Sequence, residues 1–141
     1  METVLGAVSG LPLTSLGPDG VLVSEGERSD RLYVLKSGNL EVVRKGSVVA
    51  TLSKPGDIVG EMSVLLDTPH SATVRSRSGA ELHVIDDPDA FLNANPAISR
   101  HIARTLAARL QNTTALLVDM RHRAKEREDQ EMFEKIFALL R

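Results

Sequence analysis

The chain has 141 residues, 42% hydrophobic and 26% charged, the composition of one ordinary globular domain. It has no cysteine, which excludes disulfides, thiolate metal sites and cysteine nucleophiles. It has no apolar run near the roughly 18 residues of a membrane helix, and Met1-Glu2-Thr3 lacks the basic start of a signal peptide, so a cytoplasmic protein with no membrane partner is expected. The net charge of −2 hides a split: residues 1–96 carry 8 Lys+Arg against 13 Asp+Glu, and residues 97–141 carry 9 against 6.

Residues 1–19 are weakly patterned, and Gly6, Gly10 and Pro12 predict an irregular N-terminal segment. From Gly20 short β-runs alternate with turn signals: Val21 to Val23, Leu32 to Leu35, Leu40 to Arg44 and Val48 to Leu52, separated by Gly26, Gly38, Gly46 and Pro55-Gly56. Turns at this spacing predict a mainly β protein, an antiparallel jelly roll, over residues 20–95. The rhythm breaks at Gly60 to Leu66, a run of helix formers ended by Thr68-Pro69. Strands are expected again at Ala72 to Arg75 and Glu81 to Ile85. Asp87-Pro88 and Asn95-Pro96 each read as a helix start, a side-chain cap followed by proline at the first helical position. The first predicts a short helix near 88–94.

The second opens a 45-residue stretch, 97–141, that contains neither glycine nor proline. Leu106, Leu110, Thr113, Leu117, Met120 and Ala124 alternate steps of four and three, the spacing of a coiled-coil seam. A long dimerisation helix is therefore expected within 96–141, continuing as a solvated helical spacer through 121–131 to an amphipathic end at Met132 to Leu140. An exposed seam favours a homodimer. The terminal helix is expected on the partner subunit, on the roll, or on an effector protein.

Catalytic chemistry is not visible. No Gly-x-Ser-x-Gly elbow occurs, and His70, His83, His101 and His122 have no metal-ligand spacing. No catalytic residue, metal site or cofactor is assigned, and no enzyme activity is expected. Phosphate binding is a stronger candidate. Gly60 before a short helix leaves backbone N–H groups for an anion; Glu61 can accept from sugar hydroxyls and Ser71 can donate to a phosphate oxygen. The plainer reading is a corner of the roll with Glu61 as a first-turn acid, and the residues alone favour it.

The run Gly60-Glu61-Met62-Ser63-Val64-Leu65-Leu66-Asp67-Thr68-Pro69-His70-Ser71-Ala72-Thr73-Val74 resembles the phosphate-binding cassette of cyclic-nucleotide-binding domains. Pro18-Asp19-Gly20, Glu25-Gly26, Leu32-Tyr33-Val34, Ser37-Gly38 and Lys54-Pro55-Gly56-Asp57 are similar to that family's β-roll turns, and Leu106 to Thr114 resembles the long helix of its bacterial catabolite-activator/Fnr branch. The resemblance spans about residues 17–118. It implies a double-stranded β-helix followed by a short helix and a long dimerisation helix. It also implies a regulatory module for cyclic AMP, with cyclic GMP as the other candidate. By that resemblance Glu61 binds the ribose 2′-hydroxyl. The amides around Gly60, Met62 and Ser63, with Ser71 and Ala72, hold the cyclic phosphate, and Thr113 and Thr114 face the purine.

One position departs from the pattern: the cassette arginine is replaced by His70. Losing a charge-assisted contact costs roughly 1.5–3 kcal/mol, about ten- to a hundred-fold in affinity. Three outcomes follow: weak cyclic nucleotide binding with His70 protonated and affinity higher at acidic pH, a different ligand, or a ligand-independent dimerisation and protein-interaction domain. The catabolite-activator branch follows its long helix with a DNA-binding module, and only 21 residues follow Met120 here, so direct DNA binding is not expected.

Overall fold

The computed structural model describes residues 4–124 and 126–141. Residues 1–3, read above for a signal peptide, and Lys125, within the expected spacer, lie outside the described residues. The elements in chain order are α1 (Val4–Val8), β1 (Leu13–Leu16), β2 (Gly20–Val23), β3 (Leu32–Gly38), β4 (Leu40–Arg44), β5 (Ser47–Leu52), β6 (Ile58–Val59), α2 (Glu61–Leu66), β7 (Thr73–Ser76), β8 (Ala80–Ile85), α3 (Pro88–Ala94), α4 (Pro96–Arg123) and α5 (Arg127–Ala138). Among the described residues these strands form two four-stranded antiparallel sheets, ordered β1-β8-β3-β6 and β2-β7-β4-β5. The fold is the mainly β jelly roll with C-terminal helices that the turn rhythm predicts.

Alternation in β3 explains how one strand serves two cores. Tyr33 and Leu35 pack with Val23, Leu40, Val74 and Leu82, which come from both sheets. Leu32 and Val34 pack instead with Val8 and Ile85, joined by Val64 and Phe91. Successive strand side chains face opposite ways, so the four-residue apolar run fills both layers. Each fully buried Leu or Val contributes roughly 1.5–3 kcal/mol, which is how a chain with 3% aromatics holds its fold. Glycine is required where β3 ends: Gly38 has φ 92°, and a Cβ there would collide with the carbonyl oxygen of Gly79.

The structure adds two strands to the expected set. β1 lies inside the segment read as irregular; it pairs with β8 from Leu13 opposite His83 to Leu16 opposite Ala80. β6 is two residues long and pairs Val59 with Tyr33. Neither carries a long apolar run, and both are held by the neighbouring strand rather than by their own propensity. The signal at Asp87-Pro88 is realised as read: the Asp87 carboxylate accepts the Ala90 amide at 3.2 Å, with Pro88 opening α3.

The described chain divides into two units, Met1–Ser99 and Arg100–Arg141. In the second, the expected continuous helix is not found. α4 stops at Arg123 and a separate helix, α5, starts at Arg127. The Gln130 side-chain amide donates to the carbonyls of Arg121 at 2.9 Å and Ala124 at 3.0 Å, and the Arg121 guanidinium lies 5.6 Å from the Phe137 ring centre. Residues 121–131 have one apolar side chain to hold a helix in register, so a helix end capped by Gln130 replaces the spacer. Along the expected seam, Leu106, Leu117 and Ala124 are half-buried while Leu110 and Met120 stay exposed.

Candidate functional site

The cassette begins at Gly60, whose φ of 96° is left-handed. A Cβ at this position would sit 2.9 Å from the carbonyl oxygen of Arg31. The glycine is therefore demanded by the approach of the protein's own backbone, a reason the sequence did not reveal. Gly60 opens α2 without a side-chain cap, and Glu61 and Met62 follow in its first turn. Val64 anchors the helix in the second core, while Met62, Leu65 and Leu66 are exposed. Ser63 is buried. Its hydroxyl donates to the Thr68 carbonyl at 2.8 Å, and the Thr68 amide donates back to the Ser63 carbonyl at 3.2 Å. This pair turns the chain back after α2 and leads it to His70, Ser71 and Ala72.

His70 is 6% exposed. Its amide donates to the Glu27 carbonyl and its carbonyl accepts the Gly26 amide, both at 2.9 Å. Its Nε2 shares a 2.8 Å hydrogen bond with the Ser29 hydroxyl. Burial lowers the imidazole pKa below its ordinary 6.5, against the opposing pull of the Glu27 carboxylate. With no anion beside the ring, the neutral imidazole is thus favoured. The loop between β2 and β3 clasps the cassette further. The Glu25 amide donates to Thr73 Oγ1 at 2.9 Å, and Arg28 donates to the carboxylate and carbonyl of Asp67 at 3.2 and 3.1 Å. Sequence reasoning took Glu25-Gly26 only as a turn and missed this clasp. Its legible sign was the density of charge in residues 24–31.

The roll unit therefore holds Gly60, Glu61, Met62, Ser63, His70, Ser71 and Ala72 in one cassette. Ser71 is exposed, while Ala72 and Glu61 are half-buried. Thr113 and Thr114 lie on α4 in the second unit, the first exposed and the second half-buried.

The family model of the cyclic nucleotide-binding domain matches residues 13–94, more than half of the chain. The chain belongs to the cyclic nucleotide-binding domain family. Membership makes the roll a cyclic nucleotide-binding regulatory module. The cAMP-dependent protein kinase regulatory subunit of Yarrowia lipolytica is 44% identical over 63 residues, covering 43% of this chain and 16% of that protein. The CRP-like cAMP-activated global transcriptional regulator of Mycobacterium tuberculosis is 32% identical over 103 residues, covering 69% of this chain and 46% of that protein. The chain thus spans less than half the length of either curated relative. The solved Thermus thermophilus catabolite activator protein superposes with a TM-score of 0.71 at 26% identity, over 81% of this chain and 56% of the other. Among the described residues no helix is long and apolar enough to cross a membrane.

Proposed function

We propose that the chain is a ligand-sensing module that binds cyclic AMP in the roll and transmits occupancy through its C-terminal helices. The observation that carries this reading is the cassette itself. It combines an uncapped α2 start at Gly60, Glu61 in the first turn, and the Ser71-Ala72 pair brought back by the Ser63–Thr68 exchange. These groups supply donors for a phosphate and an acceptor for a ribose hydroxyl. Glu61 accepts from the 2′-hydroxyl; the amides of Gly60, Met62 and Ser63 and those of Ser71 and Ala72 surround the cyclic phosphate. Thr113 and Thr114 are the residues that the family resemblance names for the purine. Cyclic AMP is favoured over cyclic GMP on the Thr113-Thr114 pair and on the cAMP-activated relative.

The module acts as a homodimer through the exposed α4 residues Leu110 and Met120, in the cytoplasm, and presents α5 to an effector protein. Occupancy shifts the helices only insofar as ligand binds one arrangement better than the other. The test is a thermal-shift panel with cyclic AMP, cyclic GMP and 5′-AMP. A rise in Tm with cyclic AMP, smaller with cyclic GMP and smallest with 5′-AMP, is expected. Equal response to all three, or to none, contradicts the assignment.

A further inference from the structure

β5 stands at one edge of the sheet ordered β2-β7-β4-β5. Its residues, Ser47–Leu52, include no charge and no proline, and Val48 and Val49 are 49% and 60% exposed. It pairs with β4 alone. Among the described residues no hydrogen bond outside that ladder involves residues 47–52. A strand paired on one side presents a row of open amides and carbonyls on the other, and a second extended segment can continue the sheet there.

Both ends of this strand carry an excess of cations. At the turn, Arg44 and Lys45 are accompanied by one carboxylate, that of Glu25, which accepts the Lys45 amide at 3.0 Å. Beyond Leu52, Lys54 and Lys36 are accompanied by that of Asp57, which accepts the Lys54 amide at 3.1 Å. Lys36 follows Leu35, whose amide donates to the Asp57 carbonyl and whose carbonyl accepts the Gly56 amide. All four cations are exposed, and none is in an ion pair among the described residues. Pairing β5 with a second copy sets cations against cations in either direction. Antiparallel, the turn end meets the far end; parallel, like ends meet. Like charges opposite one another across a ladder are destabilising. Carboxylates at both ends of an incoming segment turn that repulsion into attraction.

We propose that the open edge of β5 receives an extended segment of a partner protein, β-branched or small and apolar in its middle and acidic at both ends, which adds to the sheet as a further strand. Ladder hydrogen bonds hold the backbone of that segment, Val48 and Val49 lie beside its apolar side chains, and the cations at the two ends fix its register. None of these residues belongs to the cassette.

The test is fluorescence polarisation of the full chain with a labelled peptide of alternating Val and Thr that carries Asp and Glu at both ends. A peptide with the same middle and Lys at both ends is run beside it. The acidic peptide is expected to bind saturably and at least about ten-fold tighter than the Lys-ended one at about 0.05 M salt, with the margin shrinking at about 0.5 M. Arg44→Glu together with Lys54→Glu, both exposed positions, should reverse the preference. Hydrogen exchange with the acidic peptide bound should show new protection in residues 47–52 and none in α2. No saturable binding, equal affinity for the two peptides, a preference that survives the double change in a folded variant, or protection confined to other segments overturns the proposal. Val49→Lys should leave the mass in light scattering as it is in the parent chain. Loss of a parental dimer in that variant would give the edge to a second copy and overturn the proposal as well.

Discussion

Gly60 and His70 acquire their physical reasons only in three dimensions. Gly60 combines a φ of 96° with the Arg31 carbonyl 2.9 Å from where a Cβ would stand. Gly60→Ala is expected to cost about 1–3 kcal/mol in urea unfolding, the range for strained backbone, and to displace the first turn of α2. Stability equal to the parent chain would contradict this account of the glycine. For His70 the sign follows from linkage. Its folded pKa lies below the ordinary 6.5, so the unfolded chain takes up the proton first as pH falls. The contribution of the neutral imidazole to stability is fully present above 6.5 and is lost as pH drops through the folded value. Unfolding free energy should therefore fall as the solution is taken from neutral to below that window, and His70→Gln should flatten the slope. An unchanged slope would show that His70 does not carry it.

Elements divide by whether their signal is local. β3 and β4 were legible because each has its own apolar run ending at a turn, and α3 because Asp87 caps it. β1 and β6 were not, since the reason they pair lies in β8 and β3, distant along the chain. The cassette residues were legible as a motif, but the clasp on them was not. The hydrogen bonds of His70 to Gly26, Glu27 and Ser29 join segments that share no sequence pattern. The break between α4 and α5 was missed because no glycine or proline marks it; a polar stretch and one glutamine side chain do. Gln130→Ala removes two hydrogen bonds, each worth about 0.5–1.5 kcal/mol. Hydrogen exchange should then show lost protection in α5 with the roll amides unchanged. Protection of α5 equal to the parent chain would show that Gln130 does not fasten the two helices.

At the scale of the whole molecule, the charge split of the sequence coincides with a division of labour: an acidic roll that carries the cassette and a more basic helical unit that carries the exposed apolar residues. Leu110, Leu116 and Met120 are exposed at 53%, 59% and 46% on one helix, α4, and apolar area of this kind is normally covered in an assembly. Light scattering is expected to return twice the 15.3 kDa monomer mass, and Leu110→Lys with Met120→Lys to return the monomer. A monomeric parent chain would remove the dimer from the account without touching the roll. The central claim, a cyclic nucleotide held by the cassette, is tested most directly by calorimetric titration of the full chain with cyclic AMP, beside Glu61→Ala. The account predicts saturable binding of one cyclic AMP per chain, weakened at least about ten-fold by Glu61→Ala through loss of the ribose contact. No binding of cyclic AMP to the parent chain, or equal affinity in the folded Glu61→Ala variant, would contradict it.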